Sequence, residues 1–386
     1  MKILIIRTSS DGVNFNVNTY NRQEIGLAKA FNKQGHVCDV AYFGGRENKK
    51  IQLEYGKDKY FTVYLVPGIS VLKNGIFIGI DKLVENYDLI QPGGYDQLES
   101  WRLARKYPEK TVIFHGTYYK EFNKGYNFKC KWFDRFFLKT YIRKNIHFAT
   151  KSNMAANFLR KKGISNVTTV GVGLDLEQIS SVVDEESDIS RGMINLKNSE
   201  KKLLLYIGRL EERRNLFFLL DVFNRILLER GNVYFVIIGN GETQYKNKFL
   251  SRIAELGISD NVIYREKLEQ KFLPLIYKSC DIFLLPTLYE IFGMVLLEAM
   301  YFGTPVVTTL NGGSDLLIEN QKSGIIIENC ETSVWKDTIF RLLNDPGYLS
   351  YMGKIAHEQI ATMYTWDALV DRFVDIYQNK NILRAL

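Results

Sequence analysis

Short β-rich runs alternate with helical patterns twice along the 386 residues. Short apolar strands that alternate with helices are typical of a parallel sheet covered on both faces. The first series runs from KILII at 2–6 to VTTVG at 167–171, and the second from LLLYIG at 203–208 to GIII at 324–327. The sequence therefore predicts an α/β fold with two doubly wound sheets.

A polar stretch at 180–202 separates the two series and is interpreted as a linker. We expect an N-terminal Rossmann-like domain at 1–190, a second one at 200–365, and a C-terminal helix at 366–386. Ligands of such sheets bind at the carboxyl ends of the strands, so a cleft between the two domains is expected. The last helix should pack back on the first domain through an apolar stripe: Trp366, Leu369, Val370, Phe373, Ile376 and Tyr377.

Cysteine spacing and apolar run length limit the class of protein. The four cysteines lie far apart and form no CxxC pair, which argues against a zinc site or a disulfide framework and favours a reducing setting. The N-terminal MKILIIR is too short for a signal peptide, and no stretch reaches the ~20 apolar residues of a membrane span. The expectation is a cytoplasmic protein that is soluble or peripheral to a membrane.

The segment from Tyr118 to Phe148 is basic and aromatic, with eight lysines and arginines, two acidic residues and eleven aromatic residues. A solvated helix face would explain such a pattern. Nucleic-acid grooves also combine cations with stacking rings, but no RNA-binding motif accompanies the segment, so nucleic acid is not an expected partner. Anionic lipid attracts lysine, and tryptophan and phenylalanine prefer the membrane interface. A membrane-surface element is therefore the favoured interpretation of 118–148.

The stretch EIFGMVLLE places Glu290 and Glu298 at the ends of an otherwise apolar segment. Buried carboxylates cost several kcal/mol unless they are paired. The break at Gly293 indicates that Glu290 lies in a loop after the strand DIFLLP and that a helix begins near Gly293. Loop amides at the start of that helix would suit a phosphate or a sugar, and Glu298 inside it would suit ribose hydroxyls. The alternatives are an exposed loop acid and a helix acid held by a neighbouring cation.

The longer segment PTLYEIFGMVLLEAMYFGTPVVTTLNGGSDLLIENQKSGIII resembles the donor-binding segment of retaining glycosyltransferases of family 4, among the group 1 glycosyl transferases with the GT-B fold. The match comprises two glutamates separated by seven residues, a Gly-x-Pro-Val-Val run and a Gly-Gly turn. IGRLEERRN resembles the family's Gly-Arg-Leu segment, and VIIGNGE resembles its glycine pair after a central strand.

The resemblance implies a site for a nucleotide sugar. Its catalytic positions are His115, which ends the strand TVIFH, and Arg209, Arg214 and Glu290. Its donor-binding positions are Gly208, Arg209, Arg214, Gly239, Glu266, Leu268, Glu290, Phe292, Gly293, Met294 and Glu298. The arginines would hold the diphosphate, Glu290 the sugar and Glu298 the ribose, with the base near Glu266. Arg214 stands where the family has lysine, and Ile291 stands where it has glycine.

The function implied by the resemblance is transfer of a sugar with retention at the anomeric carbon, without a cofactor and without a required metal. The donor would be a nucleotide-diphosphate sugar, with UDP favoured. The acceptor would be a glycan or lipid-linked saccharide in bacterial cell-surface polysaccharide or glycoconjugate synthesis, at the inner face of the plasma membrane. Two alternatives remain: a GT-B accessory subunit that only binds a glycan, and a sugar-nucleotide epimerase. A two-carboxylate hydrolase is disfavoured because the glutamates lie at different depths.

Overall fold

The structure, a computed structural model, describes residues 1–10, 15–16, 22–179, 188–199 and 201–385. The chain divides into unit 1, Met1–Asp175 with Tyr364–Leu386, and unit 2, Leu176–Met363.

The strands are β1 (Lys2–Arg7), β2 (Val37–Gly45), β3 (Lys49–Gly56), β4 (Lys59–Val71), β5 (Asn74–Phe77), β6 (Leu89–Pro92), β7 (Val112–His115), β8 (His147–Thr150), β9 (Val167–Thr169), β10 (Lys202–Ile207), β11 (Val233–Ile238), β12 (Val262–Arg265), β13 (Ile282–Leu285), β14 (Val306–Thr309) and β15 (Ile325–Ile327).

The helices are α1 (Gln23–Lys33), α2 (Ile80–Val84), α3 (Leu98–Lys106), α4 (Lys124–Arg143), α5 (Asn153–Arg160), α6 (Leu176–Ile179), α7 (Asp188–Asn198), α8 (Leu216–Glu229), α9 (Thr243–Glu255), α10 (Leu273–Ser279), α11 (Met294–Tyr301), α12 (Ser314–Leu317), α13 (Thr332–Asn344), α14 (Pro346–Met363) and α15 (Trp366–Ala385). Within the described ranges, none of these helices is long and apolar enough to cross a membrane.

Unit 2 contains one parallel sheet with strand order β12-β11-β10-β13-β14-β15. Its central strands are apolar and buried along most of their length, because helices cover both faces of a parallel sheet. The chain builds the sheet outward from β10 in one direction and then from β13 in the other. This reversal places a topological switch point between β10 and β13, where the loops after the two strands diverge and leave room for a ligand.

Unit 1 contains two sheets, one with the order β3-β4-β2-β1-β6 and one with the order β7-β8-β9. Parallel bridges at Ile90–Thr111 and Gly93–Phe114 connect β6 to the start and end of β7. The expectation of purely parallel pairing is wrong at one edge, where β3 and β5 pair antiparallel with β4. The strand β3 escaped the prediction because alternate residues of KKIQLEYG are exposed, so it lacks the apolar run of a buried strand.

The C-terminal helix α15 packs against α1 in unit 1. Phe373 and Tyr377 contact the ring of Phe31, with centroid distances of 6.3 and 5.7 Å. All six residues of the predicted apolar stripe are buried. Trp366 lies so close to Gly26 that a β-carbon at this glycine would overlap the indole ring. The absence of a side chain at residue 26 is therefore a packing requirement of the helix pair.

The boundary between the units differs from the expected one. The first unit ends at Asp175, and the second extends from Leu176 to Met363. The stretch interpreted as a linker lies partly outside the described residues, and its described part contains α7. Lys197 of α7 donates a 3.0 Å hydrogen bond to the Lys278 carbonyl at the end of α10. This polar stretch therefore includes a surface helix of unit 2.

Candidate functional site

Two glycine turns shape the carboxyl edge of the unit 2 sheet at the switch point. Gly208 follows β10 and donates a hydrogen bond to the carbonyl of Ile238 at the end of β11. A β-carbon on Gly239 would overlap the carbonyl oxygen of Gly208, and one on Gly241 would overlap that of Leu210. The backbones therefore approach each other in a way that only glycine permits. Such a turn leaves the ends of β10 and β11 open to a ligand.

Two arginines converge on Glu290 across the switch point. Glu212–Arg214 form a 3-10 turn before α8, and Glu290 follows β13. The Glu290 Oε2 atom pairs with Arg213 Nη1 at 3.3 Å and with Arg214 Nη1. Arg213 Nη1 also donates to the Tyr289 carbonyl at 2.8 Å, and its Nη2 pairs with Glu211 at 2.7 Å. This arrangement presents two guanidinium groups and one carboxylate on neighbouring loops.

The loop that carries Glu290 is fixed by the turn after β14. The Gly312 amide donates to the Glu290 carbonyl at 3.1 Å, and a β-carbon on Gly313 would overlap the Phe292 carbonyl. Gly293 has a φ of 81° and caps α11, so the helix begins at Met294 as the sequence predicts. Among the described residues, no acceptor pairs with the amides of Phe292 and Gly293. These two donors are available for a polar ligand at the positive end of the helix.

Glu298 is buried one turn inside α11, with 3% of its surface exposed. Its Oε2 atom accepts a 2.9 Å hydrogen bond from the hydroxyl of the fully buried Tyr277 in α10. Tyr277 in turn accepts a 2.7 Å bond at its carbonyl from Thr304. The structure therefore gives this carboxylate a phenol as partner, which neither the ribose expectation nor the alternative of a neighbouring cation included.

Three further predicted positions on unit 2, Arg209, Glu266 and Leu268, take no part in the described pairing with Glu290. Arg209 is exposed, and no ion pair to its guanidinium occurs in the part of the chain that the structure describes. Glu266 is also exposed and pairs with Lys246 at 2.5 Å, while Leu268 is half-buried in the following loop. The arginine that joins Arg214 on Glu290 is Arg213, which the sequence interpretation did not assign. The Arg-Arg doublet in LEERRN was the only signal that could have indicated it.

On unit 1, His115 ends β7 and is 1% exposed. Burial lowers the pKa of its imidazole to about 4, so the ring is neutral near pH 7. The Tyr95 amide donates to His115 Nδ1 at 3.4 Å, which leaves the ring proton on Nε2. The buried Nε2 atom has no hydrogen-bond partner among the described residues. His115 is therefore a neutral hydrogen-bond donor and not a ready proton acceptor.

A second cluster that the sequence interpretation missed lies at the carboxyl ends of β1 and β8. Lys151 follows β8, contacts the Phe114 ring and donates a 2.7 Å hydrogen bond to Gln23. Burial lowers its pKa to about 8. Burial would raise the pKa of the Glu24 carboxyl, but Arg7 at 3.0 Å lowers it below its ordinary value. The sequence offered no signal for this cluster, because its members come from three distant segments.

Comparison with known proteins gives consistent matches. The model of the family described as glycosyl transferases group 1 matches residues 193–359. A glycosyltransferase of Methanocaldococcus jannaschii is 32% identical over 197 residues, which cover 50% of this chain and 49% of that protein. The D-inositol 3-phosphate glycosyltransferase of Corynebacterium urealyticum is 28% identical over 221 residues, or 56% of this chain and 51% of that one. The chain thus spans about half the length of these curated relatives.

Solved structures match over a larger share of the chain. Anabaena HepE in complex with UDP gives a TM-score of 0.75 at 16% identity, and the match covers 98% of this chain and 100% of that one. At this level of identity, the likeness concerns the fold.

Proposed function

We propose that the protein is a retaining, metal-independent hexosyltransferase, because residues 193–359 match the family of glycosyl transferases group 1 and the chain has the GT-B fold. It moves a sugar from a nucleotide-diphosphate sugar to a glycan or a lipid-linked saccharide. The setting is the synthesis of bacterial cell-surface polysaccharide or glycoconjugate. Because the curated relatives are matched over only half their length, the activity of the whole protein is part of the proposal.

The observation that carries the proposal is the convergence of Arg213 and Arg214 on Glu290 at the switch point of the unit 2 sheet. The departing diphosphate of a sugar nucleotide gains negative charge in the transition state. Guanidinium groups fixed beside that position stabilise the charge, and two of them with loop amides fill the role that a metal ion fills elsewhere. Glu290 then accepts hydrogen bonds from sugar hydroxyls, and exposed Arg209 completes the positive surface.

The proposal also covers the identity of the nucleotide and the role of His115. HepE is known in complex with UDP and with UDP-glucose, which supports UDP as the nucleotide of this chain's donor. Its base would lie near Glu266 and Leu268 and its ribose near Glu298. His115 would donate its Nε2 proton to a sugar hydroxyl, and this bond would hold the ring while the anomeric carbon becomes electron-poor.

A thermal-shift panel with UDP, GDP, CDP and dTDP sugars in EDTA tests this proposal. A nucleotide at about 100 times its dissociation constant should add about 2.7 kcal/mol to the free energy of unfolding. The variant Arg213→Ala should lose most of the shift, whereas the control Arg225→Ala, exposed on α8, should keep it. Absence of a shift with every nucleotide, or an equal shift in both variants, would contradict the donor site.

The proposal also includes an anionic inner-leaflet surface as partner of α4. Phe128, Trp132 and Phe136 recur every fourth residue on this helix and are 75%, 52% and 57% exposed. The same face carries exposed cations: Lys131, Arg135, Lys139 and Arg143. Rings that can enter the interface and cations that attract anionic headgroups are the two requirements of a surface-bound helix. The enzyme would work from the cytoplasmic side of the membrane.

Co-sedimentation with vesicles tests this partner. The wild type should bind vesicles containing phosphatidylglycerol and should bind phosphatidylcholine vesicles only weakly. Salt should release it, because dissolved ions screen the attraction between charges and shorten its range. The double variant Phe128→Ser with Trp132→Ser should bind at least tenfold less. Leu228→Ser, at an 80% exposed position of unit 2, is the matched control. Binding that is equal for both lipids or for both variants would remove the membrane from the proposal.

A further inference from the structure

Residues 67–78 of unit 1 form a hairpin from the end of β4 and β5, and small residues lie on its inward face. Gly68 and Gly75 lie so close to the ring of Phe43 that a β-carbon on either glycine would overlap it. Phe77, on the same face, packs on the Phe43 ring at a centroid distance of 5.9 Å. Because successive residues of a strand point to opposite faces, the neighbours of these glycines point away from the core.

The outward face of the hairpin is apolar. Ile69 and Val71 alternate with the inward residues along β4, and Ile76 lies opposite Ile69. The Ile78 amide donates to the Pro67 carbonyl at 2.8 Å, which continues the pairing beyond β5. Ile69 and Ile78 are 60% and 59% exposed, and Val71 is exposed as well. Surface hairpins ordinarily turn polar residues outward, so the polarity of this one is reversed.

The turn at the tip of the hairpin is both strained and apolar. Its two central residues, Leu72 and Lys73, have φ values of 47° and 64°. Two-residue turns of this kind favour asparagine and glycine, because other side chains are sterically disfavoured at positive φ. Leu72 is nevertheless placed there and is 87% exposed. Strain of this kind persists where function requires it, and here it presents a bare leucine to the surroundings.

Charge and size select the partner that covers this face. Residues 67–78 contain one lysine and no acidic residue. At an anionic lipid surface, aliphatic side chains enter the acyl boundary while lysine stays among the headgroups. A stable protein interface contains about 20–30 residues on each side, far more than this narrow hairpin offers. A lipid surface is therefore a better match than a second copy of the chain or another protein.

The hairpin and α4 are attached to the same short stretch of chain before and at the start of α3. Asn74, the first residue after the turn, accepts a 3.0 Å hydrogen bond at Oδ1 from the Leu98 amide. Two residues earlier, Asp96 pairs with Lys129 of α4 at 2.7 Å. Residues two positions apart are separated by about 7 Å at most. The tip of the hairpin therefore lies beside the first half of α4, which carries exposed aromatic rings.

We propose that the hairpin inserts into the surface of an anionic membrane as a second anchor, separate from α4. The side chains that enter are those of the tip and the outward face: Ile69, Val71, Leu72, Ile76 and Ile78. This inference rests on the proposed function for its partner, an anionic membrane, and on the hairpin for its geometry. Two separate contacts restrict the tilt of unit 1 on the bilayer, whereas one helix lying on the surface leaves unit 1 free to roll about the helix axis.

Vesicle co-sedimentation of the full chain tests the anchor. Leu72→Asn suits a positive φ, so the melting temperature should stay the same or rise. Its partitioning onto vesicles with phosphatidylglycerol should nevertheless fall about 5- to 20-fold, and Ile69→Thr should act in the same direction. The control Val37→Thr should bind as the wild type does. Val37 is exposed at the start of β2, whereas the hairpin bonds through its Gly75 amide to Thr8, beyond the far end of β1.

A fluorophore reports insertion directly. Leu72→Cys would carry the environment-sensitive label NBD in a Cys330→Ser background, because Cys330 is exposed and the other cysteines are buried. Its emission should shift to the blue on vesicles with phosphatidylglycerol, and the same label on Val37→Cys should not respond. A blue shift that grows with protein concentration in the absence of lipid would assign the face to a second copy of the chain and overturn the proposal.

The α4 variant Phe128→Ser with Trp132→Ser separates the two membrane elements. If Leu72→Asn and Ile69→Thr bind vesicles as the wild type does while the α4 variant loses binding, the hairpin anchor is refuted and α4 remains. If the hairpin variants lose binding and the label at residue 72 shifts to the blue, the anchor holds even where the α4 variant still binds. Absence of vesicle binding by the wild type refutes both elements, whereas the thermal shift with UDP tests the sugar transfer separately.

Discussion

Replacing Glu290 with glutamine separates two roles that the proposed function gives to the site around this residue, binding of the diphosphate and binding of the donor sugar. In the structure the carboxylate is 12% exposed and pairs with Arg213 and Arg214, whose side chains are 25% and 11% exposed. A diphosphate that binds the arginines must displace this carboxylate, while the sugar of a donor needs it. The substitution removes the charge but keeps an acceptor oxygen of similar size. We therefore expect nucleotide binding and turnover to change in opposite directions.

The magnitudes follow from the geometry. A charge pair at 3.3 Å gains about 5 kcal/mol at an effective dielectric constant of about 20, and desolvation of the ions cancels much of that gain. Since Glu211 still pairs with Arg213, we expect the free energy of unfolding to fall by about 1–3 kcal/mol. A lost hydrogen bond between the carboxylate and a sugar hydroxyl corresponds to about 1.5–3 kcal/mol, or a 10- to 150-fold lower kcat.

The assay combines urea denaturation, calorimetric titration of UDP and turnover of the donor found in the thermal-shift panel. Glu290→Gln should bind UDP as tightly as the wild type or several-fold more tightly, with the reduced kcat given above. Glu211→Gln, which removes the other charged partner of Arg213, should lower the free energy of unfolding by a comparable amount. Its effect on kcat should be much smaller. If Glu290→Gln bound UDP tenfold more weakly, the idea that this carboxylate competes with the diphosphate would be wrong.

Three further predictions concern single residues. Gly239→Ala should lower the melting temperature by several degrees and abolish the UDP shift, because its β-carbon would overlap backbone, whereas Gly231→Ala, with open space around it, should be neutral in the same thermal-shift assay. Because unfolded His115 binds a proton near pH 6.5 that the folded ring accepts only near pH 4, stability should fall as the pH drops through this window. This contribution, about 3 kcal/mol in full, should be missing from urea titrations of His115→Gln. Tyr277→Phe should cost about 1–2 kcal/mol and weaken UDP binding through Glu298, measured by calorimetry, and a stability loss with unchanged UDP affinity would make that pair purely structural.

The parts of the fold that follow from sequence are those in which burial dictates composition. The central strands β10, β11 and β13 of unit 2 are largely apolar runs because both faces are covered, and the stripe of α15 has the period of a helix buried on one side. The sequence did not predict strand β3, because an exposed edge strand needs no apolar run. The helix α7 was hidden for a similar reason, since polar residues suit a surface helix as well as a linker.

The candidate site was predictable in its backbone and less so in its side-chain pairing. The position of Gly293 and the length of the apolar run fix where α11 begins, so Glu290 and Glu298 had to differ in depth. The sequence interpretation assigned Arg209 and Arg214 to the diphosphate. The pairing of Arg213 with Glu290 depends on the 3-10 turn, which the residue pattern does not encode. The bond from Tyr277 to Glu298 joins residues 21 positions apart on different helices, so only the folded chain shows it.

Arg213 and Arg214 pair with Glu290 at the switch point, and this pairing favours an intact nucleotide sugar over either of its halves. A free diphosphate could replace Glu290 on the arginines, but it would leave a largely buried carboxylate without its cations. A free sugar could approach Glu290 but would not neutralise the arginines. An intact nucleotide sugar supplies both groups together, because its diphosphate pairs with the arginines while its hydroxyls satisfy the carboxylate. The site should therefore bind the intact donor more tightly than either half, and it should release UDP once the sugar has been transferred.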